Sequence, residues 1–270
     1  MLTFVKFGGS VITDKTGQEA PDLPIIRRLA AEVRAALNQA ASQAEAYRLI
    51  VGHGSGSFGH TYARRYGIHH GLAPGDDWLG FAQTAAAALR LNRIVVDELL
   101  AAGVPALALQ PSATLISTHG VLKEWDTSAL SRALERGLVP IIHGDVAFDE
   151  VQGTAIISTE QLLERLVHTS ALRRVVLVGE AGVYTADPRA DTNAERIPRI
   201  DASNIAAVLR VTGASHGVDV TGGMRSKVEL MWRLVEATPG LTVQLVGAAP
   251  GLVARALLGT AGGQGTIITS

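Results

Sequence analysis

The chain has 270 residues, 47% apolar and 18% charged, with a formal charge of −1 and no cysteine. That composition supports a large buried core and excludes a disordered chain, disulfide bonding, thiol catalysis and cysteine-bound zinc. The near-neutral balance gives no global attraction to nucleic acid or an anionic membrane, and no basic–aromatic cluster supports nucleic-acid binding.

Residues 1–7 lack the apolar core of a signal peptide, and no run of 18 apolar residues follows. The expectation is a cytoplasmic protein with no membrane partner.

Residues 3–7 read as a buried strand leading into Gly8-Gly9-Ser10. Lys6 stands inside that strand. Because burying an unpaired ammonium is costly, Lys6 is either an edge residue reaching water or a phosphate ligand beside a glycine turn. Lys15 follows in the polar loop 13–17. Residues 23–44 repeat apolar side chains at Ile26, Leu29, Val33 and Leu37 behind Pro24, which predicts a helix.

A second buried strand, 48–51, opens into Gly52-His53-Gly54-Ser55-Gly56-Ser57-Phe58-Gly59-His60. Glycines admit a charged group close to the backbone, and successive N–H groups form an anion cradle. The spacing Gly54-x-Gly56-x-x-Gly59 satisfies the dinucleotide fingerprint. Its acidic residue, due about 20 residues later, falls at Asp76 and Asp77 in a turn with no strand before it. A helix beginning at 57–61 and running through Tyr66 turns its N-terminus toward the same anion. His60 then lies in the first turn, as a donor to a phosphate oxygen or as a surface histidine. His69 and His70 read as solvated loop residues.

Residues 78–102 form the longest helical pattern, rich in alanine, either core or a dimer face. Phe81, Thr84, Ala85 and Leu89 are candidates for an apolar pocket wall, with Ile156 beside them. A strand at 106–109 and a short helix at 127–135 follow. The strand 138–142 delivers His143-Gly144-Asp145 to the carboxyl edge of a sheet, where functional groups gather. Asp145 is either a turn residue or a carboxylate that orients a metal or pairs with lysine. Asp149 and Glu150 read as a solvated tip, and Ser158-Thr159 caps a helix over 160–169.

The strand 175–178 ends in Gly179-Glu180-Ala181-Gly182, followed by a turn at 185–189. Asp201 or Ser203 caps a helix reaching Leu209. Asp219-Val220-Thr221-Gly222-Gly223 is a further glycine turn opening a helix, with Lys227 one turn in. Strands at 242–246 and 265–269 close the pattern. Strands alternating with helices predict an α/β fold, a three-layer αβα sandwich with a mainly parallel central sheet.

Glycine turns after strands, with lysines beside them, point to phosphoryl transfer, which needs positioned positive charge more than covalent chemistry. No Walker A pattern is present, no serine–histidine–acid spacing suggests a hydrolase, and no spacing suggests a protein-bound metal.

Lys6-Phe7-Gly8-Gly9-Ser10, the loop 52–60, His143-Gly144-Asp145 and Asp219-Val220-Thr221-Gly222-Gly223-Met224 resemble the amino acid kinase superfamily. The ending Gly56-Ser57-Phe58-Gly59-His60 is most similar to that of isopentenyl phosphate kinases. The motifs run from residue 6 to residue 227. The resemblance implies one domain over 1–270, with approximate lobes at 1–168 for the acceptor and 169–270 for the nucleotide.

It further implies conversion of isopentenyl phosphate to isopentenyl diphosphate by direct in-line transfer, with ATP and Mg2+ as cofactors, in a homodimer. By position, Lys6, Lys15, Lys227 and Asp145 are the expected catalytic residues, with Lys15 stabilising the transition state and Asp145 organising the lysines. Gly54, Gly59, His60, Gly153 and Thr159 are expected to bind the acceptor. Lys6, Gly8, Gly9, Ser10, Ser55, Gly56, Gly179, Gly182, Gly223 and Lys227 are expected to bind the nucleotide.

Two stretches depart from the pattern. Ser158-Thr159-Glu160 stands where many members carry Ser-Gly-Asp. Val178-Gly179-Glu180-Ala181-Gly182-Val183-Tyr184 lacks both aspartates of the usual Thr-Asp-x-Asp-Gly-Val-Tyr. The residues also leave open a kinase for another small phosphate or phosphonate, of fosfomycin kinase type, and a non-catalytic nucleotide-binding sensor.

Overall fold

The computed structural model describes residues 1–14, 16–42, 46–73, 75–76, 78–188, 190–213 and 223–270. Lys15, Pro74, Asp77, Arg189 and residues 219–222 of the last glycine turn lie outside the described residues, and with them the expectations placed there.

The first strand, Leu2–Phe7, sits in the middle of an eight-stranded sheet. Arg48–His53, Val139–His143 and Ala106–Ala108 extend the sheet on one side, all parallel. On the other side lie Leu172–Val178 and Thr242–Val246, also parallel. Thr266–Ile268 then joins antiparallel, with the short Arg199–Ile200 at its edge. The order of connection therefore reverses at Leu2–Phe7. In open α/β sheets that reversal leaves a crevice beyond the carboxyl ends of the strands.

Successive strand residues point to opposite faces, so each strand feeds two cores. Phe4, Ile50, Ile142, Val175 and Val243 pack with Leu162, Leu163 and Leu166 of the helix Thr159–Thr169 and with Val228 and Met231 of Gly223–Ala237. Val5, Val51, Ile141, Val176 and Val246 pack on the other face, against Leu23–Ala41, Leu79–Ala101 and Leu252–Leu258. These are the three layers the alternation predicts. Among the described residues no helix is long and apolar enough to cross a membrane.

The helix Leu23–Ala41 is capped by Asp22, whose carboxylate accepts from Ile25 N at 3.1 Å. A second sheet, absent from the sequence expectations, runs in the order Val121–Trp125, Leu115–Thr118, Asp145–Asp149, Gly153–Ile157. Asp145 thus begins a strand and is not a turn residue. Asp149 is not solvated: it is 6% exposed and accepts from Ser117 Oγ and from the N–H groups of His119, Gly120, Val151 and Gln152. One carboxylate holding both loops of the small sheet explains why an aspartate is kept there.

Candidate active site

Two glycine loops meet at the crevice. Lys6 is paired in register with Gly52, and Phe7 with His53, so both strands end together. The loops then touch backbone to backbone. A Cβ on Gly9 would stand 2.6 Å from Gly56 N, and one on Gly54 would stand 2.9 Å from Gly9 N. Gly56 also has φ +50, where glycine is favoured. Thr13 stitches the pair, donating its hydroxyl to Gly9 O at 2.7 Å and accepting from Ser57 N at 3.0 Å.

The backbone donors divide cleanly. Gly8 N donates to Val178 O and Gly54 N to Phe7 O, so these two N–H groups are used within the fold and do not serve a phosphate. Gly9, Ser10, Ser55 and Gly56 carry N–H groups with no acceptor among the described residues. They sit at the starts of the turn Gly9–Ile12 and the helix Gly56–Arg65. Such a set has the composition of an anion cradle, and two of its four members, Ser10 and Ser55, differ from the glycines the motif points to first. The helix starts at Gly56, so His60 lies a full turn in, past the first turn expected for it.

A small recess, partly open to solvent, adjoins the second loop. Ser55, Gly59, His60 and Asp145 line it, with Ala63, Thr84, Ala88, Val146 and Ile156 as its less polar wall. Of the residues expected in the wall, Thr84 and Ile156 line the recess; Phe81, Ala85 and Leu89 do not. Phe81 instead packs in a tilted pair with Phe148 and edge-on to Trp78, at ring-centroid separations of 5.0 and 5.5 Å.

Lys6 lies on the opposite face of the sheet, two residues beyond Phe4 on the same side. Its ammonium is bonded to Glu160, with side chains 14% and 22% exposed. Glu160 stands in the first turn of Thr159–Thr169, where the helix N-terminus favours a carboxylate, and Ser158 caps that helix by accepting from Gln161 N. Burial pushes the Lys6 pKa down; Glu160 opposes that shift and Lys227 adds to it. Burial would raise the Glu160 pKa, but Lys6, an N–H bond and Lys227 together hold it below the ordinary value. Lys227, on Gly223–Ala237, therefore shares one electrostatic cluster with Lys6 and Glu160.

Among the described residues Asp145 is not paired with a lysine. Its carboxylate is 2% exposed and accepts from Ser112 N at 3.1 Å and Val146 N at 2.9 Å, while the lysine partner is Glu160. The departure from Ser-Gly-Asp, a glutamate one methylene longer at that place, was the available signal. Thr159 is buried and donates to His53 O at 2.7 Å, bracing the strand end without lining the recess. Gly153 has φ +81 and closes on Leu72 O, also away from the recess. Gly179 N donates to Val246 O, and Gly182, at φ +139, lies against Thr266 and Arg196. Gly223, at φ +66, begins its helix, and among the described residues nothing lies within 4 Å of the place a Cβ would take.

Sequence reasoning passed over His53 and His143. They end neighbouring strands in register and their rings stack with centroids 5.5 Å apart. Burial, and then the field of His143, hold the His53 pKa down to about 3, so its imidazole is neutral.

A crossover crevice with an N–H cradle, a lysine–carboxylate cluster on one side and a small recess on the other defines a phosphoryl-transfer enzyme. Residues 1–244 match the amino acid kinase family. The chain belongs to that family. Over 267 residues it is 34% identical to the isopentenyl phosphate kinase of Methanothermobacter thermautotrophicus, covering 96% of each chain. It is 35% identical to that of Haloferax volcanii, over 94% of this chain and 98% of the relative. The isopentenyl phosphate kinase of Methanocaldococcus jannaschii is 32% identical over 86% of each. A solved isopentenyl phosphate kinase structure superposes with TM-score 0.79 and 32% identity over the whole of both chains.

Proposed function

We propose that this protein transfers the γ-phosphoryl group of ATP to isopentenyl phosphate, giving isopentenyl diphosphate and ADP. An oxygen of the acceptor phosphate attacks Pγ in line, the bond from Pγ to the β–γ bridging oxygen breaks, and ADP leaves with that oxygen. The acceptor is already an anion, so no general base is required. The observation that carries the reading is the recess, which combines His60 and Ser55 with the apolar Ala63, Ala88, Val146 and Ile156, a lining suited to a phosphate on a short branched hydrocarbon.

In this reading His60 donates to the acceptor phosphate and the N–H groups of Gly9, Ser10, Ser55 and Gly56 hold phosphoryl oxygens between the two substrates. Lys6 and Lys227 neutralise the nucleotide phosphates, held by Glu160; Lys15 is assigned with them from its place in the motif. The acceptor elements fall in 1–168 and Lys227 in 169–270. Among the described residues no three His, Cys, Asp or Glu side chains are arranged to hold a metal ion. Mg2+ is proposed to arrive on the nucleotide, held chiefly by phosphate oxygens and water, as is usual for this ion. A homodimer and a cytoplasmic location complete the proposal.

The test is ADP release from Mg-ATP with isopentenyl phosphate, with fosfomycin and without acceptor. Release that depends on isopentenyl phosphate and yields the diphosphate is expected; preference for the phosphonate, or no acceptor dependence, rejects the reading.

A further inference from the structure

His53 and His143 are both 0% exposed, in positions where an aliphatic side chain would bury without losing hydrogen bonds to water. Two buried imidazoles at adjoining strand ends need a polar reason. Each Nδ1 lies 3.0 Å from the carbonyl oxygen of the glycine that follows it, Gly54 and Gly144 respectively. The other nitrogens fix the tautomers. His53 Nε2 faces Asn92 Nδ2 at 3.0 Å, and an amide NH2 only donates, so Nε2 accepts and the proton sits on Nδ1. His143 Nε2 is buried with no hydrogen-bond partner among the described residues. A proton there would leave a buried N–H unpaired and set two acceptors, Nδ1 and Gly144 O, against each other. Both rings therefore donate through Nδ1 to the next carbonyl.

A trans peptide plane points its C=O and the following N–H in opposite directions. Fixing Gly54 O fixes the Ser55 N–H, one of the cradle donors. Fixing Gly144 O fixes the peptide that enters Asp145. Ser55, Gly144 and Asp145 all line the recess. We propose that His53 and His143 are a positioning pair whose Nδ1–H groups hold the Gly54–Ser55 and Gly144–Asp145 peptide planes, which shape the end of the recess that receives the acceptor phosphate. The inference rests on the reading of the recess as the acceptor site.

His143 gives the cleaner test, because among the described residues its Nε2 has no partner to strand. His143→Asn keeps a donor near the Nδ1 position and loses the ring; His143→Phe keeps the ring and loses the donor. His143→Gln, whose amide reaches the Nε2 position, replaces the phenylalanine variant if that variant does not fold. The donor-less variant is expected to raise KM for isopentenyl phosphate about tenfold with KM for ATP within about twofold, and Asn to restore most of that loss. Acceptor KM values that are the same in the two variants overturn the proposal, whether both match the wild type or both are impaired.

A second readout separates this inference from the function itself. The backbone amide resonance of Asp145 is followed as inorganic phosphate is added to the wild type and both variants. If the wild type does not phosphorylate isopentenyl phosphate, the function falls. A phosphate response present in the wild type and H143N and lost in H143F still sustains the positioning role. The same response in all three, or none in the wild type, overturns it.

Discussion

Lys6 and Glu160, 154 positions apart in the chain, form one largely buried ion pair at the carboxyl end of the middle strand of the central sheet. The strand and the helix that carry them meet through an apolar core containing Phe4, Leu162 and Leu163. The pair is therefore held by packing on both sides, and Lys6 is pre-placed before any nucleotide arrives.

Removing Glu160 exposes the opposing forces on Lys6. Burial and Lys227 lower its pKa, and Glu160 alone of the named groups raises it. Glu160→Gln is therefore expected to let Lys6 lose its proton at lower pH. The alkaline limb of kcat/KM for ATP moves to lower pH while the acceptor KM changes little. A pH profile with an unmoved alkaline limb removes Glu160 from this role.

His60→Ala tests the acceptor end. One charge-assisted hydrogen bond is lost, so KM for isopentenyl phosphate is expected to rise by about tenfold or more, with ATP binding nearly unchanged. Equal weakening of both substrates, read by steady-state kinetics and calorimetry, counts against the assignment.

Gly9→Ala is expected to be far more damaging than its size suggests. The new methyl meets Gly56 N at 2.6 Å and Gly56 Cα at 2.8 Å, both backbone atoms that no rotamer change relieves. Relieving the clash separates the two loops and misplaces the cradle. Turnover is expected to fall by about a hundredfold, with a stability loss of about 1–3 kcal/mol. Wild-type turnover in this variant would mean that the loops open freely.

Asp149 links stability to acid. Burial would raise its pKa, but the N–H groups of Gly120, Gln152 and Val151 and the Ser117 hydroxyl outweigh that and hold it well below the ordinary 3.8. A depressed folded value means stabilisation that is complete above about pH 4 and is lost as pH falls through the folded value. Asp149→Ala is expected to cost about 2 kcal/mol at neutral pH, from stranded N–H groups, with the gap to wild type narrowing in strong acid. Denaturation curves at pH 7 and below pH 3 check both the size and the sign.

The central sheet was legible because its strands are short apolar runs ending in glycine, and Lys6, Gly9, Ser55, Gly56, His60 and Lys227 stood out as chemistry beside those ends. The small sheet was not legible. Val121–Trp125 is mostly exposed and carries lysine and glutamate, and its pairing with Leu115–Thr118 slips register between Ile116 and Ser117, so neither face gives a clean alternation. The resemblance points to Asp145 as the organiser of the lysines; Glu160, which pairs with Lys6, stands on the helix layered beneath and is invisible in local pattern. The division between used and free N–H groups depends on which carbonyl each meets, and Val178 O and Phe7 O come from other parts of the fold.

The placement of Leu2–Phe7 carries a consequence for how the molecule comes into being. Lys6 pairs with Gly52 on one side and Leu177 on the other, so the second neighbour is synthesised long after the first. On the ribosome the opening strand gains one partner early and then waits, with its other hydrogen-bonding edge uncovered, until roughly two-thirds of the chain has emerged. Shielding that apolar edge during translation falls to the nascent helices or to a chaperone. Substitutions in Leu172–Val178 are then expected to reduce soluble yield more than their effect on the finished enzyme's stability would indicate.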